Sequence, residues 1–323
     1  MAHEIRGIHH VSALTADAGR NMAFYTCSLG MRLVKRTVNQ DDPSCYHLFY
    51  ADRKGSPGTD LTFFEIPLLA REQPGTGSIS GLGLRVADEA SLTFWFERLQ
   101  ALGIAVMEPR RLGSWQVLPF TDFEGQRLML VADGGVTGGV PWQGGGVPAE
   151  HGILGLGPVW LTVRHLGHSA RVLRDVLGFR QVGAYPSEVA GQPDIVVFAV
   201  GEGGAGAEIH VAERGDLPPE RLGRGGVHHV ALRVADDEAQ RLWLERLEAS
   251  HLRTSGIVDR YYFRSIYFRD PSGILFELAT DGPGFAVDEP EDRLGERIAL
   301  PPFLEPRRAE IEAHLHPIEM PAS

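Results

Sequence analysis

Apolar and polar residues follow one another along the chain in an order that recurs four times. Each copy starts with a short apolar strand, continues with a helix whose apolar residues recur every three or four positions, and closes with strands joined by tight turns. In the first copy, Asp17 caps the expected helix and Gly30 ends it. A repeat of this length predicts four βαβββ modules.

The starting strands of the four copies can be aligned on their Leu-x-Val ends. The alignment puts His10, Gly81, Pro158 and His229 at matching positions, with spacings of 71, 77 and 71 residues. Such regular spacing indicates that the four modules are similar in size.

We therefore predict an α+β fold of two tandem domains, each made of two βαβββ modules. A Gly-rich stretch is the natural linker between the two halves. The predicted segments are an N-terminal domain, 1–135, with modules at about 5–68 and 79–133; a linker, 136–151; a C-terminal domain, 152–281, with modules at about 152–212 and 225–281; and a tail with a short helix, 282–323.

Two of the four starting strands carry a pair of histidines in the same apolar frame, Gly7-Ile8-His9-His10-Val11 and Gly226-Val227-His228-His229-Val230. Histidine is the commonest protein metal ligand. Glu277 is a lone acid inside the apolar return strand of the fourth module, where a carboxylate without a partner would be costly. The matching positions are Met129 in the second module and His210 in the third, and the first module has no acid within its return strand.

Two histidines and one carboxylate with open positions form the facial triad of non-haem Fe(II) oxygenases. Neighbouring residues of a strand point to opposite faces, so only one histidine of each pair is expected to contact a metal. Strand alternation alone does not decide which one. Histidines that serve only as core or surface residues are the alternative.

Composition narrows the classes of partner. The net charge of −11 argues against nucleic acid and against an anionic membrane surface. No apolar run approaches the roughly 18 residues that a membrane-spanning helix needs. Two cysteines in 323 residues do not make a disulfide framework, so we expect a protein of the reducing cytoplasm.

Six stretches, taken together and in their order along the chain, carry a resemblance to a known protein family. They are Gly7-Ile8-His9-His10-Val11, Lys35-Arg36-Thr37-Val38-Asn39-Gln40-Asp41-Asp42-Pro43, Tyr46-His47-Leu48-Phe49-Tyr50, Gly58-Thr59-Asp60-Leu61-Thr62-Phe63-Phe64, His228-His229-Val230 and Leu300-Pro301-Pro302-Phe303-Leu304-Glu305-Pro306. With this set, nearly the whole chain resembles the vicinal oxygen chelate superfamily. Within that superfamily it resembles the ring-cleaving dioxygenases that act on hydroquinones, including chlorinated ones.

The resemblance implies which residues form the site. It assigns the iron ligands to His10, His229 and Glu277, so the first and fourth modules should meet around the metal while the second and third pair without one. Ligand type does not separate Fe(II) from Mn(II), so either metal remains open. The resemblance also implies five pocket residues with roles in catalysis: His9, Ser12, His228, Arg260 and Tyr267.

The expected function is therefore an Fe(II)-dependent dioxygenase that opens the ring of a hydroquinone-type substrate, substituted or not, with O₂. Its partners would be a small aromatic substrate and O₂, and assembly into a homo-oligomer is left open. The alternatives are a glyoxalase-like lyase or isomerase, a catechol extradiol enzyme, and a non-catalytic protein that binds aromatic ligands on the same fold. The glyoxalase pattern uses four protein ligands, whereas the first module here lacks the second acid.

Overall fold

The computed structural model describes residues 4–136 and 138–318, and its strands form two eight-stranded sheets. The first module contains β1 (Ile8–Thr15), α1 (Ala18–Ala23), β2 (Arg32–Val38), β3 (Tyr46–Ala51) and β4 (Asp60–Glu65). The second contains β5 (Ser78–Val86), α2 (Glu89–Ala101), β6 (Arg110–Leu112), β7 (Trp115–Thr121) and β8 (Arg127–Ala132).

The third module contains β9 (Gly155–Val163), α3 (Leu166–Arg171), β10 (Arg180–Tyr185), β11 (Ile195–Ala199) and β12 (Glu208–Glu213). The fourth contains β13 (Val227–Val234), α4 (Asp237–Ala249), β14 (Thr254–Asp259), β15 (Arg264–Arg269) and β16 (Leu275–Thr280). The predicted α+β class and its four βαβββ modules are thus confirmed. Among the described residues, no helix combines the length and the hydropathy that crossing a bilayer would require.

Three of the four module helices begin directly after an aspartate, and Asp17 caps the first of them as predicted. Asp17, Asp88 and Asp236 each precede a helix, and each side chain accepts a hydrogen bond from a backbone N–H of the first turn. The helices of the first and third modules are short because each changes into one wide π-helical turn, Phe24–Ser28 and Val172–Val176. The capping aspartates can therefore be recognised in the sequence, but the π-helical turns cannot be recognised from the spacing of apolar residues.

Each sheet joins modules from opposite halves of the chain. The first sheet has the order β14-β15-β16-β13-β1-β4-β3-β2, and the second has the order β10-β11-β12-β9-β5-β8-β7-β6. Strands β1 and β13 pair antiparallel at the centre of the first sheet, and β5 and β9 do so in the second. The first and fourth modules therefore meet along the two strands that carry the histidine pairs, as the sequence predicted.

The tail after β16 returns to the first module and packs along β2, and it ends with α5 (Arg308–His314). Lys35 of β2 is fully buried and forms ion pairs with Asp288, at 2.7 Å, and with Glu289. The hydroxyl of Tyr262 donates a hydrogen bond of 2.9 Å to the same Asp288 carboxylate. The tail thus fixes the segment that contains Tyr262 and Phe263, which forms one wall of the site.

Candidate metal centre

Two β-bulges shape the strands that carry the histidine pairs. Between the pairs Ile8–Leu232 and His10–Ala231, β1 advances two residues while β13 advances one, so His9 is an extra residue. A second shift makes His228 the extra residue of β13. The rule that neighbouring strand residues point to opposite faces therefore fails at both pairs. The two rings of each pair lie close together, with their Nδ1 atoms 3.0 Å apart in the first pair and 2.8 Å apart in the second.

Three side chains converge at the junction of β1, β13 and β16. The Nε2 atoms of His10 and His229 lie 3.1 and 2.9 Å from Glu277 Oε2 and 3.3 Å from each other. All three residues are buried, and Glu277 is fully inaccessible. Within residues 4–136 and 138–318, this is the one group of three or more His, Cys, Asp or Glu residues that could hold a metal ion.

The donor set fits a divalent metal. Glu277 Oε2 is buried and accepts no hydrogen bond of acceptable geometry, while Oε1 accepts one of 2.5 Å from the hydroxyl of Ser265. Three ligand atoms about 3 Å apart match neighbouring positions around an ion whose bonds are about 2.1 Å long. Two imidazoles and one carboxylate suit Fe(II) and leave further coordination positions open. A buried carboxylate oxygen without a donor is thus explained by a cation at this point.

The protonation states also fit metal binding. Burial raises the pKa of Glu277, but the neighbouring His10 and His229 outweigh this effect and hold the pKa well below its usual range. Burial is the main reason that the pKa of His229 is lowered. At neutral pH the site therefore presents an ionised carboxylate and a neutral imidazole at His229, which are the forms that bind metal.

His9 lies behind His10 and fixes its tautomer. The His9 Nε2–H donates to the backbone oxygen of Thr280 at 3.1 Å, and burial, mainly, lowers the pKa of His9 to about 3. A neutral His9 with its proton on Nε2 must accept at Nδ1, so the Nδ1–H of His10 donates to it. This arrangement leaves the Nε2 lone pair of His10 directed at the site, and such partners orient metal-binding histidines in general.

His228 has the corresponding position behind His229. Burial, mainly, lowers the pKa of His228 to about 3, so its ring is neutral and can accept a hydrogen bond from the Nδ1–H of His229. Its ring does not line the cavity next to the metal ligands. It lines a separate groove together with Glu220 and Arg269.

A cavity opens beside the three converging side chains. Three of the residues expected in the pocket line it: Ser12, Arg260 and Tyr267. The ring of Tyr267 packs edge-on against the ring of His229, with centroids 5.7 Å apart. Burial and the charge of Glu277 raise the pKa of Tyr267, so its phenol is protonated and can donate a hydrogen bond. The structure thus brings these three residues to the cavity and places His9 and His228 behind the ligands.

Hydrogen bonds from Arg260 of the fourth module to Asp41, and from Gln40 to Arg260, connect the first and fourth modules at the rim of the cavity, and we call this group the clasp. The guanidinium of Arg260 donates two hydrogen bonds to the carboxylate of Asp41, at 3.1 and 2.9 Å, and its Nε lies 3.3 Å from Tyr267 Oη. Gln40 donates from Nε2 to the backbone oxygen of Arg260 at 2.8 Å. The stretch that contains Gln40 and Asp41 contributed to the family resemblance, but nothing in the sequence connected it with Arg260.

Two polar residues connected to Ser12 had no role assigned from the sequence: His47, which lines the cavity, and Thr62. Ser12, Thr62 and His47 form a connected row, with Ser12 Oγ 2.7 Å from Thr62 Oγ1 and Thr62 Oγ1 3.0 Å from His47 Nε2. The register aligns Thr62 with Ser12 in the first module as it aligns Glu277 with Ala231 in the fourth. Thr62 therefore occupies the position at which the first module would supply a second acidic ligand.

In the second sheet, His210 occupies the position that corresponds to Glu277. His210 aligns with Trp160 as Glu277 aligns with Ala231, which confirms the position predicted for His210. The ring of Trp160, the residue at the position of Ala231, lies against the ring of His210 with centroids 4.9 Å apart. His210 has partners at both ring nitrogens, the hydroxyl of Tyr185 and a carboxylate oxygen of Glu208, each 3.0 Å away. The hydrogen-bonding capacity of His210 is therefore used within the protein.

Known proteins resemble the chain over its full length. A family model described as the Glyoxalase/Bleomycin resistance protein/Dioxygenase superfamily matches residues 7–130 and 155–278. The chain is 52% identical to MhqA of Bacillus subtilis (strain 168), whose assigned name is that of a ring-cleaving dioxygenase, over 317 residues that cover 98% of this chain and 100% of that protein.

Two further similarities extend this picture. The chain is 28% identical, over 311 residues and 94% of each protein, to a chlorohydroquinone/hydroquinone 1,2-dioxygenase of Sphingobium indicum. A solved structure from Bacillus subtilis, described as that of a dioxygenase, superposes with a TM-score of 0.91 at 34% identity and covers 100% of both chains. The similarity therefore includes both sheets and the tail.

Proposed function

Because the chain belongs to the glyoxalase/bleomycin resistance protein/dioxygenase superfamily, we propose that it is a ring-cleaving dioxygenase that opens a hydroquinone-type substrate with O₂. The sequence motifs predicted this family, and the family model and the relatives confirm it. The observation that carries the proposed activity is the geometry of His10, His229 and Glu277 beside an aromatic-walled cavity. We propose Fe(II) as the metal, with Mn(II) as the alternative that metal analysis decides.

The protein supplies the metal ligands and controls their direction. His10, His229 and Glu277 would hold the metal, and Ser265 fixes the carboxylate through a hydrogen bond of 2.5 Å to Oε1. His9 and His228 would hold the ligand rings in the correct tautomer. A bound Fe(II) lowers the pKa of a coordinated hydroxyl and brings the substrate and O₂ together.

The cavity wall would orient the aromatic ring. Phe49, Phe64 and Phe263 line the cavity and provide flat apolar surfaces for stacking. The phenol of Tyr267 lies beside the ring of His229 and can donate a hydrogen bond to an oxygen bound next to it. Arg260 lies at the rim, where its positive charge would attract the ionised oxygen of a phenolic substrate.

The position of Thr62 argues against the glyoxalase-like alternative. That chemistry uses a metal with four protein ligands, two from each paired module, whereas the first module here has a threonine at the place of its acid. The threonine hydroxyl lies 2.7 Å from Ser12 Oγ and 3.0 Å from His47 Nε2. Fewer protein ligands leave more positions for substrate and O₂, which favours oxygen chemistry.

The experiment measures metal content and oxygen uptake together. The protein is loaded anaerobically with Fe(II), Mn(II) or Zn(II), and each form is assayed with hydroquinone, catechol and the methylglyoxal–glutathione adduct. We expect oxygen uptake with hydroquinone and the Fe(II) form, and loss of both metal and uptake in Glu277→Gln. His210→Gln, at the matching position of the second sheet, should keep both. Turnover of the glutathione adduct by the Zn(II) form, without oxygen uptake on any phenol, would contradict the proposal.

A further inference from the structure

Two polar atoms on the cavity wall have no partner within residues 4–136 and 138–318. Thr37 is only 2% exposed, and its buried hydroxyl makes no hydrogen bond. His47 has its Nε2 atom 3.0 Å from Thr62 Oγ1, while its Nδ1 atom makes no hydrogen bond in the described chain. Both residues line the cavity that adjoins the metal ligands. A buried hydroxyl without a partner is costly unless a ligand or water satisfies it.

The two side chains are neighbours on the sheet and are held in place. Thr37 of β2 and His47 of β3 are direct cross-strand partners, so their Cβ atoms are about 5 Å apart. The ring of His47 packs against Phe49 and Phe64, with centroids 4.0 Å away in each case. Its Nε2 contact with Thr62 fixes the rotation of the ring. The free Nδ1 atom is therefore presented in one direction.

The chemistry of this pair matches a neutral hydroxyl. Burial, first, and the nearby His10 hold the pKa of His47 well below its usual range, so its ring is uncharged at neutral pH. A neutral imidazole nitrogen and a threonine hydroxyl together supply the donor and the acceptor that one hydroxyl group requires. Neither side chain carries a charge, and the rings of Phe49 and Phe64 pack against His47. A carboxylate or an ammonium group would find no counter-charge in Thr37 or His47.

The pair lies near the β2 edge of the sheet, whereas the metal ligands lie at the centre of the sheet on β1, β13 and β16. Strands β3 and β2 lie two and three strands from β1, which corresponds to about 10 and 14 Å across an uncurled sheet. An aromatic ring with one hydroxyl at the metal ligands would direct a para hydroxyl away from them. An ortho hydroxyl would instead remain close to the first one.

We propose that Thr37 and His47 form a distal hydroxyl subsite, which binds the second hydroxyl of a para-dihydroxy aromatic substrate whose first hydroxyl lies at His10, His229 and Glu277. This inference rests on the proposed function and names the substrate feature that the site selects. Thr62 and Ser12 act as positioning residues, because they orient His47 through hydrogen bonds.

The test compares two ligands that differ only at the distal position. Dissociation constants of the Fe(II)-loaded protein for hydroquinone and for 4-methylphenol are measured by titration calorimetry without O₂, so that turnover does not interfere. One or two hydrogen bonds predict a preference for hydroquinone of about tenfold or more. In His47→Phe and Thr37→Val this preference should fall to about twofold or less, while binding of 4-methylphenol and the iron content stay unchanged.

Matched variants separate a local effect from a general one. His168→Phe removes an exposed histidine of α3 and should keep the full preference. His47→Gln keeps a polar side chain and serves as a second variant if the phenylalanine disturbs folding. An unchanged preference in both His47→Phe and Thr37→Val, with hydroquinone still cleaved, would overturn the subsite alone. Failure of the wild-type protein to bind either phenol would overturn both the subsite and the proposed function.

Discussion

Removal of the Ser265 hydroxyl should weaken metal binding without removing a ligand. Ser265 and Glu277 are both completely buried, and the hydroxyl donates to Glu277 Oε1 at 2.5 Å while Oε2 faces the two histidines. In Ser265→Ala the carboxylate loses the contact that sets its direction. Hydrogen-bond partners of this kind typically contribute 10- to 100-fold to metal affinity, or about 1.4 to 2.8 kcal/mol.

The chain offers a close control. Ser169 is also completely buried and donates to a buried carboxylate, that of Asp270, at 2.5 Å, but it lies on α3 of the third module. Ser169→Ala should reduce the free energy of unfolding by a similar amount and leave metal affinity unchanged. The assay is competition for Fe(II) or Zn(II) against a chelator of known affinity, with unfolding measured on the metal-free proteins. Equal affinity in Ser265→Ala and the wild type, or equal weakening in both variants, would refute this reasoning.

Three further changes test other parts of the structure. Lys35→Met should lower the free energy of unfolding by about 3 to 5 kcal/mol in urea titrations, because the buried carboxylate of Glu289 loses the buried ammonium beside it and keeps the exposed Arg297 at 3.9 Å; a loss below about 1 kcal/mol would contradict this. Burial raises the pKa of Asp122 to about 6, above its unfolded value of 3.8, so the stability that its protonation contributes is present below about pH 4 and is lost as pH rises through 6. Asp122→Asn should therefore stabilise the protein, relative to the wild type, more at pH 7 than at pH 4.5, by roughly 3 kcal/mol at most, and an equal effect at both pH values would refute it. Asp41→Asn should raise KM for hydroquinone severalfold with iron content unchanged, because it weakens the clasp on Arg260; an unaltered KM would show that the clasp does not position this residue.

The sequence was sufficient for the fold and for the three converging side chains. The module repeat placed His10 and His229 at matching strand positions, and the paired strands β1 and β13 bring them together. Glu277 stood out because it is a charged residue in an otherwise apolar strand, and it meets both histidines. The repeat register and the lone charge made these positions candidates, and the family resemblance selected His10 and His229 over His9 and His228.

Other features depend on partners that are distant along the chain. The bulges at His9 and His228 arise from how β1 and β13 pair. Similar shifts occur beside Ser80 and near Gly157 in the second sheet, although the described residues of that sheet form no group of three metal ligands. The bulges therefore belong to the fold, and strand alternation could not reveal them. Ser265 likewise appeared as an ordinary strand residue. The register of β15 and β16 pairs it with Ala279, two residues beyond Glu277, and its hydroxyl reaches the Glu277 carboxylate diagonally.

The distal subsite illustrates the same limit. Thr37 and His47 belong to stretches that contributed to the family resemblance, but sequence alone did not show whether His47 lies in the pocket or on the surface. Only the pairing of β2 with β3 makes the two residues neighbours and turns them toward the cavity. Residues that select a substrate are thus harder to predict than residues that bind a metal, because their neighbours are set by the tertiary structure.

We propose above all that the protein inserts O₂ into an aromatic ring at His10, His229 and Glu277. The most direct measurement is the mass of the product formed from hydroquinone by the Fe(II)-loaded protein, together with the amount of O₂ consumed. We expect one O₂ consumed per hydroquinone and a ring-opened product heavier than hydroquinone by two oxygen atoms, with neither seen in Glu277→Gln. A product that has only lost two hydrogen atoms, as in oxidation to benzoquinone, or the same product from Glu277→Gln, would contradict it.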